Sequence, residues 1–234
     1  MTYFVGRELV GGYGSVRILN GCTIGVDQGQ LAVVVGPNGA GKSTAMKALL
    51  GLLPLNCGAV ELDGTDVKHL SPQQRIASGI AFVPQTQNVF PGMTVLENLK
   101  MGGFLRRDGL DGTIQEIFEL FPILQEKQRQ PAGDLSGGQR QQLAVGRALM
   151  TRPKVLLLDE PTAGVSPNVA YQLLQQIEQL KRNGLAILMV EQNAKQALEI
   201  ADVGYVLVLG ENRFTGVGRE LLANDEVRKS FLGG

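Results

Sequence analysis

Gly36-Pro37-Asn38-Gly39-Ala40-Gly41-Lys42-Ser43-Thr44 follows the apolar run Leu31-Ala32-Val33-Val34-Val35 and opens a stretch, Lys42 to Leu50, of helical composition. The run's length and β-branching predict a buried strand, which makes the glycine-rich stretch a strand-to-helix turn. Such a turn aims several backbone N–H groups at one anion, with the partial positive charge of a helix N-terminus behind them. Gly36, Gly39 and Gly41 let the backbone approach oxygen atoms that a Cβ would hold away. In this reading Lys42 reaches the β- and γ-phosphates of a nucleotide and the Ser43 hydroxyl ligates Mg²⁺. The stretch predicts a phosphate-binding loop.

A second signal lies at Val155-Leu156-Leu157-Leu158-Asp159-Glu160-Pro161, an apolar strand ending in two adjacent carboxylates. The two-residue period of a strand predicts that they point to opposite sides and do different work. Asp159 is assigned to Mg²⁺ and Glu160 to the water that attacks the γ-phosphate. Between these signals, Ile80-Ala81-Phe82-Val83-Pro84 reads as a strand delivering Gln85, whose amide offers oxygen to a metal and NH₂ to a water. Leu135-Ser136-Gly137-Gly138-Gln139 opens a helix from Arg140 to Met150 and forms a second anion-binding device, two glycines at a helix N-terminus after a serine hydroxyl.

The remaining chain supplies the frame. From Tyr3 to Val35, short extended runs broken by Gly11-Gly12, Gly14 and Gly21 predict antiparallel strands and tight turns. Tyr13 in this region is either an aromatic that stacks on a nucleobase or a plain turn tyrosine. Ser71 and Pro72 mark a helix start. From Thr86 to about Gly133 the pattern is helical, with Leu96, Leu99, Met101, Ile114, Ile117, Phe118 and Phe121 as core-facing positions. After the carboxylates come helix Pro167–Lys181, strand Leu185–Val190, helix Ala194–Ile200, strand Val203–Leu209 and a short helical tail, an alternating α/β pattern.

With 234 residues the chain fits one sizeable domain, and a formal net charge of zero removes the case for a sequence-independent nucleic-acid partner. Cys22 and Cys57 lack metal-ligand spacing and read as reduced, small apolar residues; His69, the single histidine, reads as a surface residue. The apolar runs fall short of the about twenty residues a membrane-spanning helix needs, and no secretory signal opens the chain. The expected location is cytoplasmic.

Taken in order, Tyr13, Gly36–Thr44, Gln85, Leu135–Gln139 and Val155–Pro161 resemble the motif set of ABC-type ATPases, over essentially the whole chain. The resemblance implies a P-loop NTPase core with an N-terminal antiparallel β-subdomain and an inserted α-helical subdomain. It divides residues 1–234 into 1–85 and 154–234 for the core and β-subdomain, and 86–153 for the helical subdomain. It implies ATP and Mg²⁺ as cofactors. Tyr13, Gly36, Pro37, Asn38, Gly39, Ala40, Gly41, Lys42, Ser43 and Thr44 would bind the nucleotide, and Ser43, Gln85 and Asp159 the metal. Glu160 and Gln192 would be catalytic, and Ser136, Gly137, Gly138 and Gln139 would bind the ATP of a partner subunit.

Val83 to Leu99, Val190-Glu191-Gln192-Asn193, and the ending Leu221-Leu222-Ala223-Asn224 through Gly234 resemble one branch, the ATP-binding subunits of branched-chain amino-acid importers. Glutamine at Gln192 points to the smaller of two such subunits. The implied partners are a second ATPase subunit, membrane permeases and, indirectly, a periplasmic or extracellular solute-binding protein, placing the chain on the cytoplasmic face of the membrane. The alternatives are an ATPase for lipid or lipopolysaccharide export, whose branch carries histidine at that position, and a soluble non-transport ABC ATPase. Most of the family has histidine where Gln192 stands and aspartate where Ser166 stands. An amide cannot take a proton as imidazole does, so the composite site built on Lys42 is expected to be the slower of two unequal sites.

Overall fold

The five residues of strand Leu31–Val35 are all buried, and they alternate between two separate cores. Leu31, Val33 and Val35 face one, while Ala32 and Val34 face the other, as the strand period requires. The strand therefore sits in the middle of the molecule. The computed structural model describes residues 2–106 and 108–231.

Among the described residues, ten strands form two sheets. β1 (Phe4–Tyr13), β2 (Val16–Val26), β4 (Leu55–Leu62) and β5 (Thr65–Asp66) make an antiparallel sheet in the order β2-β1-β4-β5. The other sheet contains β3 (Leu31–Val35), β6 (Ile80–Val83), β7 (Val155–Asp159), β8 (Ala186–Val190), β9 (Val203–Val208) and β10 (Glu211–Gly216). Its order is β10-β9-β3-β8-β7-β6, parallel except for β10. Helix α1 (Lys42–Leu49) buries Ala45, Met46, Ala48 and Leu49 in the same core as Phe4 and Leu9 of β1 and Leu157 of β7.

Between β6 and β7 the chain is helical: α3 (Val95–Gly102), α4 (Leu110–Leu120), α5 (Pro122–Glu126) and α6 (Gly137–Leu149) follow α2 (Pro72–Ala77), which precedes β6. Leu99, Ile117, Phe118, Phe121, Leu124 and Leu143 join the core beneath β3, β7 and β8. α7 (Pro167–Lys181), α8 (Ala194–Ile200), α9 (Gly218–Ala223) and α10 (Asp225–Phe231) complete the chain. Among the described residues no helix is long and apolar enough to cross a membrane.

Several expectations need correction. β1 and β2 are long strands running through Gly11, Gly12 and Gly21, with shifts of register between Gly6 and Val10 and between Gly11 and Gly12. Glycine permits such bulges without ending the ladder. The tail is not purely helical, because β10 returns antiparallel on β9 through a turn at Leu209 and Gly210. Met101 is 41% exposed rather than core-facing, and Cys57 is exposed while Cys22 is buried. The signature helix begins at Gly137, not Arg140. Of the ending compared with the importer branch, Leu232 to Gly234 lie outside the described residues.

Candidate nucleotide site

The carboxyl ends of four parallel strands meet at one edge of the sheet, where open α/β sheets place ligands. β3 delivers the loop Gly36–Gly41, β7 delivers Asp159, β8 is followed by Glu191 and Gln192, and β6 leads through Pro84 to Gln85. In the loop, a Cβ on Gly36 would lie 2.2 Å from the Leu207 carbonyl oxygen, and Gly41 takes φ 99° at the N-cap of α1. Both positions require glycine. Lys42, 5% exposed, folds its ammonium back onto the loop, donating to the carbonyl oxygens of Gly36 at 2.8 Å and Pro37 at 3.1 Å. Burial lowers its pKa from the usual lysine value, while the charges of Glu160 and Asp159 oppose that shift.

The Ser43 hydroxyl donates to Asp159 Oδ1 at 3.1 Å, joining the first turn of α1 to the end of β7. Burial pushes the Asp159 carboxyl above its usual value; the Ser43 hydrogen bond and the charges of Lys47 and Lys42 pull the other way. A desolvated carboxylate beside a hydroxyl is an oxygen donor set that fits a small divalent cation.

Glu160 is not part of the strand. It has φ 48°, so the expectation that strand alternation separates the two carboxylates does not hold. A left-handed turn aims Glu160 instead, a conformation uncommon outside glycine, asparagine and aspartate. Glu160 Oε2 accepts from Gln85 Nε2 at 2.8 Å, and Gln192 Nε2 donates to Asn38 Oδ1 of the loop at 3.1 Å. Thus Asn38, Lys42, Ser43, Gln85, Asp159, Glu160 and Gln192 converge. A cleft of about 240 Å³ opens there, lined by Ile18, residues 38–44 and Glu160.

Two expected groups lie outside that cleft. Tyr13, 48% exposed at the end of β1, has the Lys47 ammonium 5.6 Å from its ring centroid but does not line the cleft; Ile18 of β2, which sequence reading passed over, does. The signature residues begin α6. Ser136 caps it by accepting from the Gln139 N–H, Gln139 Oε1 accepts in return from the Ser136 N–H, and the Arg140 guanidinium donates to the Leu135 carbonyl. A Cβ on Gly138 would lie 2.2 Å from Val169 Cγ1 of α7. None of Ser136–Gln139 lines the cleft at the phosphate loop.

Glu191, which sequence reading met only as part of the Val190–Asn193 resemblance and with no role of its own, is also part of the site. Its side chain is 2% exposed, and its carboxylate accepts from the Thr162 N–H, the Thr162 hydroxyl and the Gln192 N–H. Burial pushes its pKa up, against those hydrogen bonds and with the Glu160 charge adding to the shift. A carboxylate directly after an all-apolar strand signals a need for buried partners but does not say which ones.

The family model described as ABC transporter matches residues 19–163, more than half of the chain. The chain belongs to the ABC transporter ATP-binding family. It is 42% identical, over 95% of its own length and 96% of the relative's, to the high-affinity branched-chain amino acid transport ATP-binding protein BraG of Pseudomonas aeruginosa. It is 31% identical to the lipopolysaccharide export system ATP-binding protein LptB of Escherichia coli (strain K12), over 100% of this chain and 98% of that one. Among solved structures, the ADP conformation of MJ1267, an ATP-binding cassette of an ABC transporter, matches with a TM-score of 0.87 and 29% identity, each chain covered completely.

Proposed function

We infer that this chain is the ATP-hydrolysing subunit of an ABC importer whose cargo is a branched-chain or other hydrophobic amino acid. One observation carries the chemistry: Ser43, Asp159, Glu160 and Gln192 converge on a glycine loop that holds a buried lysine. The wider margin of likeness to BraG, 42% against 31% for LptB, favours import over lipopolysaccharide export. Gln192 at the switch position favours it too.

Lys42 and the loop amides would hold the β- and γ-phosphates, with Tyr13 and Ile18 flanking the base. Ser43 and Asp159, with the Gln85 amide, would hold Mg²⁺, which would neutralise charge on the phosphates. Glu160 would accept the proton of the attacking water, and the Gln192 amide would orient toward the γ-phosphate. Gln85 donates to Glu160, and Gln192 donates to Asn38; contacts of these groups to phosphate, metal or water would replace those hydrogen bonds.

Ser136, Gly137 and Gly138 would close on the nucleotide of a second ATPase subunit, so that ATP joins two subunits and its hydrolysis releases them. We treat residues 86–153 as the subdomain that passes this movement to a permease. Phe104 and Leu105 are 76% and 73% exposed beside a groove of about 420 Å³ that also contains Phe82, Met101 and Arg147. An apolar patch of this kind suits a cytoplasmic permease helix laid into the groove. The chain would then sit on the cytoplasmic face of the membrane.

The test is affinity purification of the tagged Glu160→Gln variant from native membranes with ATP present. Slowed hydrolysis should preserve the closed complex. Multi-span permeases together with a second, histidine-containing ATPase are the expected partners; recovery of soluble or ribosomal partners alone would overturn the transport reading.

A further inference from the structure

The end of β8 is joined to both halves of the candidate site through its backbone. The Glu191 N–H donates to the Val34 carbonyl at 3.1 Å, two residues before the phosphate loop, and the Val190 carbonyl accepts from the Glu160 N–H at 2.9 Å. From that fixed point the Glu191 side chain turns inward. Oε1 accepts from the Thr162 N–H at 3.0 Å and the Thr162 hydroxyl at 2.8 Å, and Oε2 accepts from the Gln192 N–H at 3.1 Å. Thr162 lies two residues beyond Glu160, in a turn closed by the Ala163 N–H donating to the Glu160 carbonyl at 3.0 Å. Glu160 itself has φ 48°, so its conformation depends on what surrounds it.

We propose that Glu191 is a positioning residue for ATP hydrolysis: its carboxylate clamps the turn carrying Glu160 to the segment carrying Gln192, so that base and switch stay in register over the γ-phosphate. The inference rests on Glu160 and Gln192 being the catalytic pair. A carboxylate suits the task because its two oxygens accept at once from three donors belonging to two segments, whereas an amide has only one acceptor atom. Aspartate, one methylene shorter, could not span the same two sets of donors. The clamp also gives a role to a buried acid whose hydrogen bonds run to Thr162 and Gln192. A glutamate only 2% exposed is tolerated because each oxygen is satisfied. Glu191 needs no ionisation change to act; it acts through geometry alone.

Steady-state ATP hydrolysis by the full chain, in the complex recovered with it, tests the clamp. In Glu191→Gln, one side-chain atom becomes a donor facing a backbone N–H, so either Thr162 or Gln192 is released. The expected result is a kcat lower by about tenfold, since misplaced catalytic groups cost rate before they cost binding. KM for ATP should stay within about twofold of the parent, because the phosphate loop is untouched. Thr162→Ser, which keeps the hydroxyl, should retain the parental kcat, while Thr162→Val should lower it. An unchanged kcat in Glu191→Gln, or a kcat that falls only in proportion to a raised KM and lowered Tm, would overturn the proposal. If Glu191→Gln fails to fold, the Thr162→Ser and Thr162→Val pair decides alone, and equal rates in those two refute the clamp. Glu160→Gln is measured in parallel. Full turnover in that variant would instead refute the catalytic assignment on which the clamp rests.

Discussion

Asp159 shows how a site residue works against the stability of its own fold. Burial raises its carboxyl pKa, so the folded chain holds that proton to higher pH than the unfolded chain does. The stability it contributes when protonated is lost as pH rises from the ordinary carboxylate value through the raised value of the folded chain. Asp159→Asn should therefore raise the Tm of the nucleotide-free chain by about 2 °C at pH 8, the scale of a change below 1 kcal/mol in a chain of this size. That gain should shrink toward pH 5, and Mg²⁺-ATP binding should weaken. Scanning calorimetry at the two pH values checks the first part and titration calorimetry the second. Gln192 gives the complementary case. Gln192→His should raise ATP turnover in the assembled transporter, because imidazole supplies a protonatable donor where the amide supplies only a dipole; an unchanged or lower rate refutes the unequal-site reading. Most of these residues were legible in sequence because phosphate loops and paired carboxylates follow fixed local patterns. Glu191 was not, because its meaning depends on Thr162, 29 positions away.

Helix α1 carries the loop lysine and serine at its N-terminus, and its far end is held by a residue no motif announces. Arg75 of α2, 2% exposed, donates to the carbonyl oxygens of Ala48 at 3.0 Å, Leu49 at 2.6 Å, Leu70 at 3.2 Å and Lys68 at 2.6 Å. A guanidinium at a helix C-terminus satisfies the unpaired carbonyls and complements the helix dipole. Arg75→Met keeps the volume and strands the Leu49, Leu70 and Lys68 acceptors, while Ala48 keeps the Gly51 N–H, so a loss of about 2–4 kcal/mol and a Tm lower by at least about 4 °C are expected in thermal unfolding. The start of α2 was readable from local chemistry, Ser71 capping with Pro72 after it; the start of α6 was not, because the Ser136–Gln139 capping box draws both glycines into the helix. The glycine positions in β1 and β2 were misread as breaks because a bulge and a turn have the same composition.

Two sheets and an intervening helical segment bring distant elements to one edge, and they leave Phe104 and Leu105 facing outward. Replacing both by aspartate should abolish copurification with membrane permeases while leaving ATP affinity unchanged, since neither lines the phosphate cleft. Pull-down and nucleotide titration on the same preparation separate the two effects. The chain's local patterns alone determined the phosphate loop, the carboxylate-ended strand, the helical segment between them and the family, because these depend on spacing over a few residues and on hydrophobic period. Tertiary structure alone decided which strands neighbour one another, that Glu160 leaves its strand through a left-handed turn, and that Glu191 joins two segments. Tertiary packing also decided that the signature residues do not line the cleft at the loop of their own chain. The physical reason is that a buried polar group takes whatever partner the packed fold brings within hydrogen-bond distance, and sequence separation sets no limit on who that partner is.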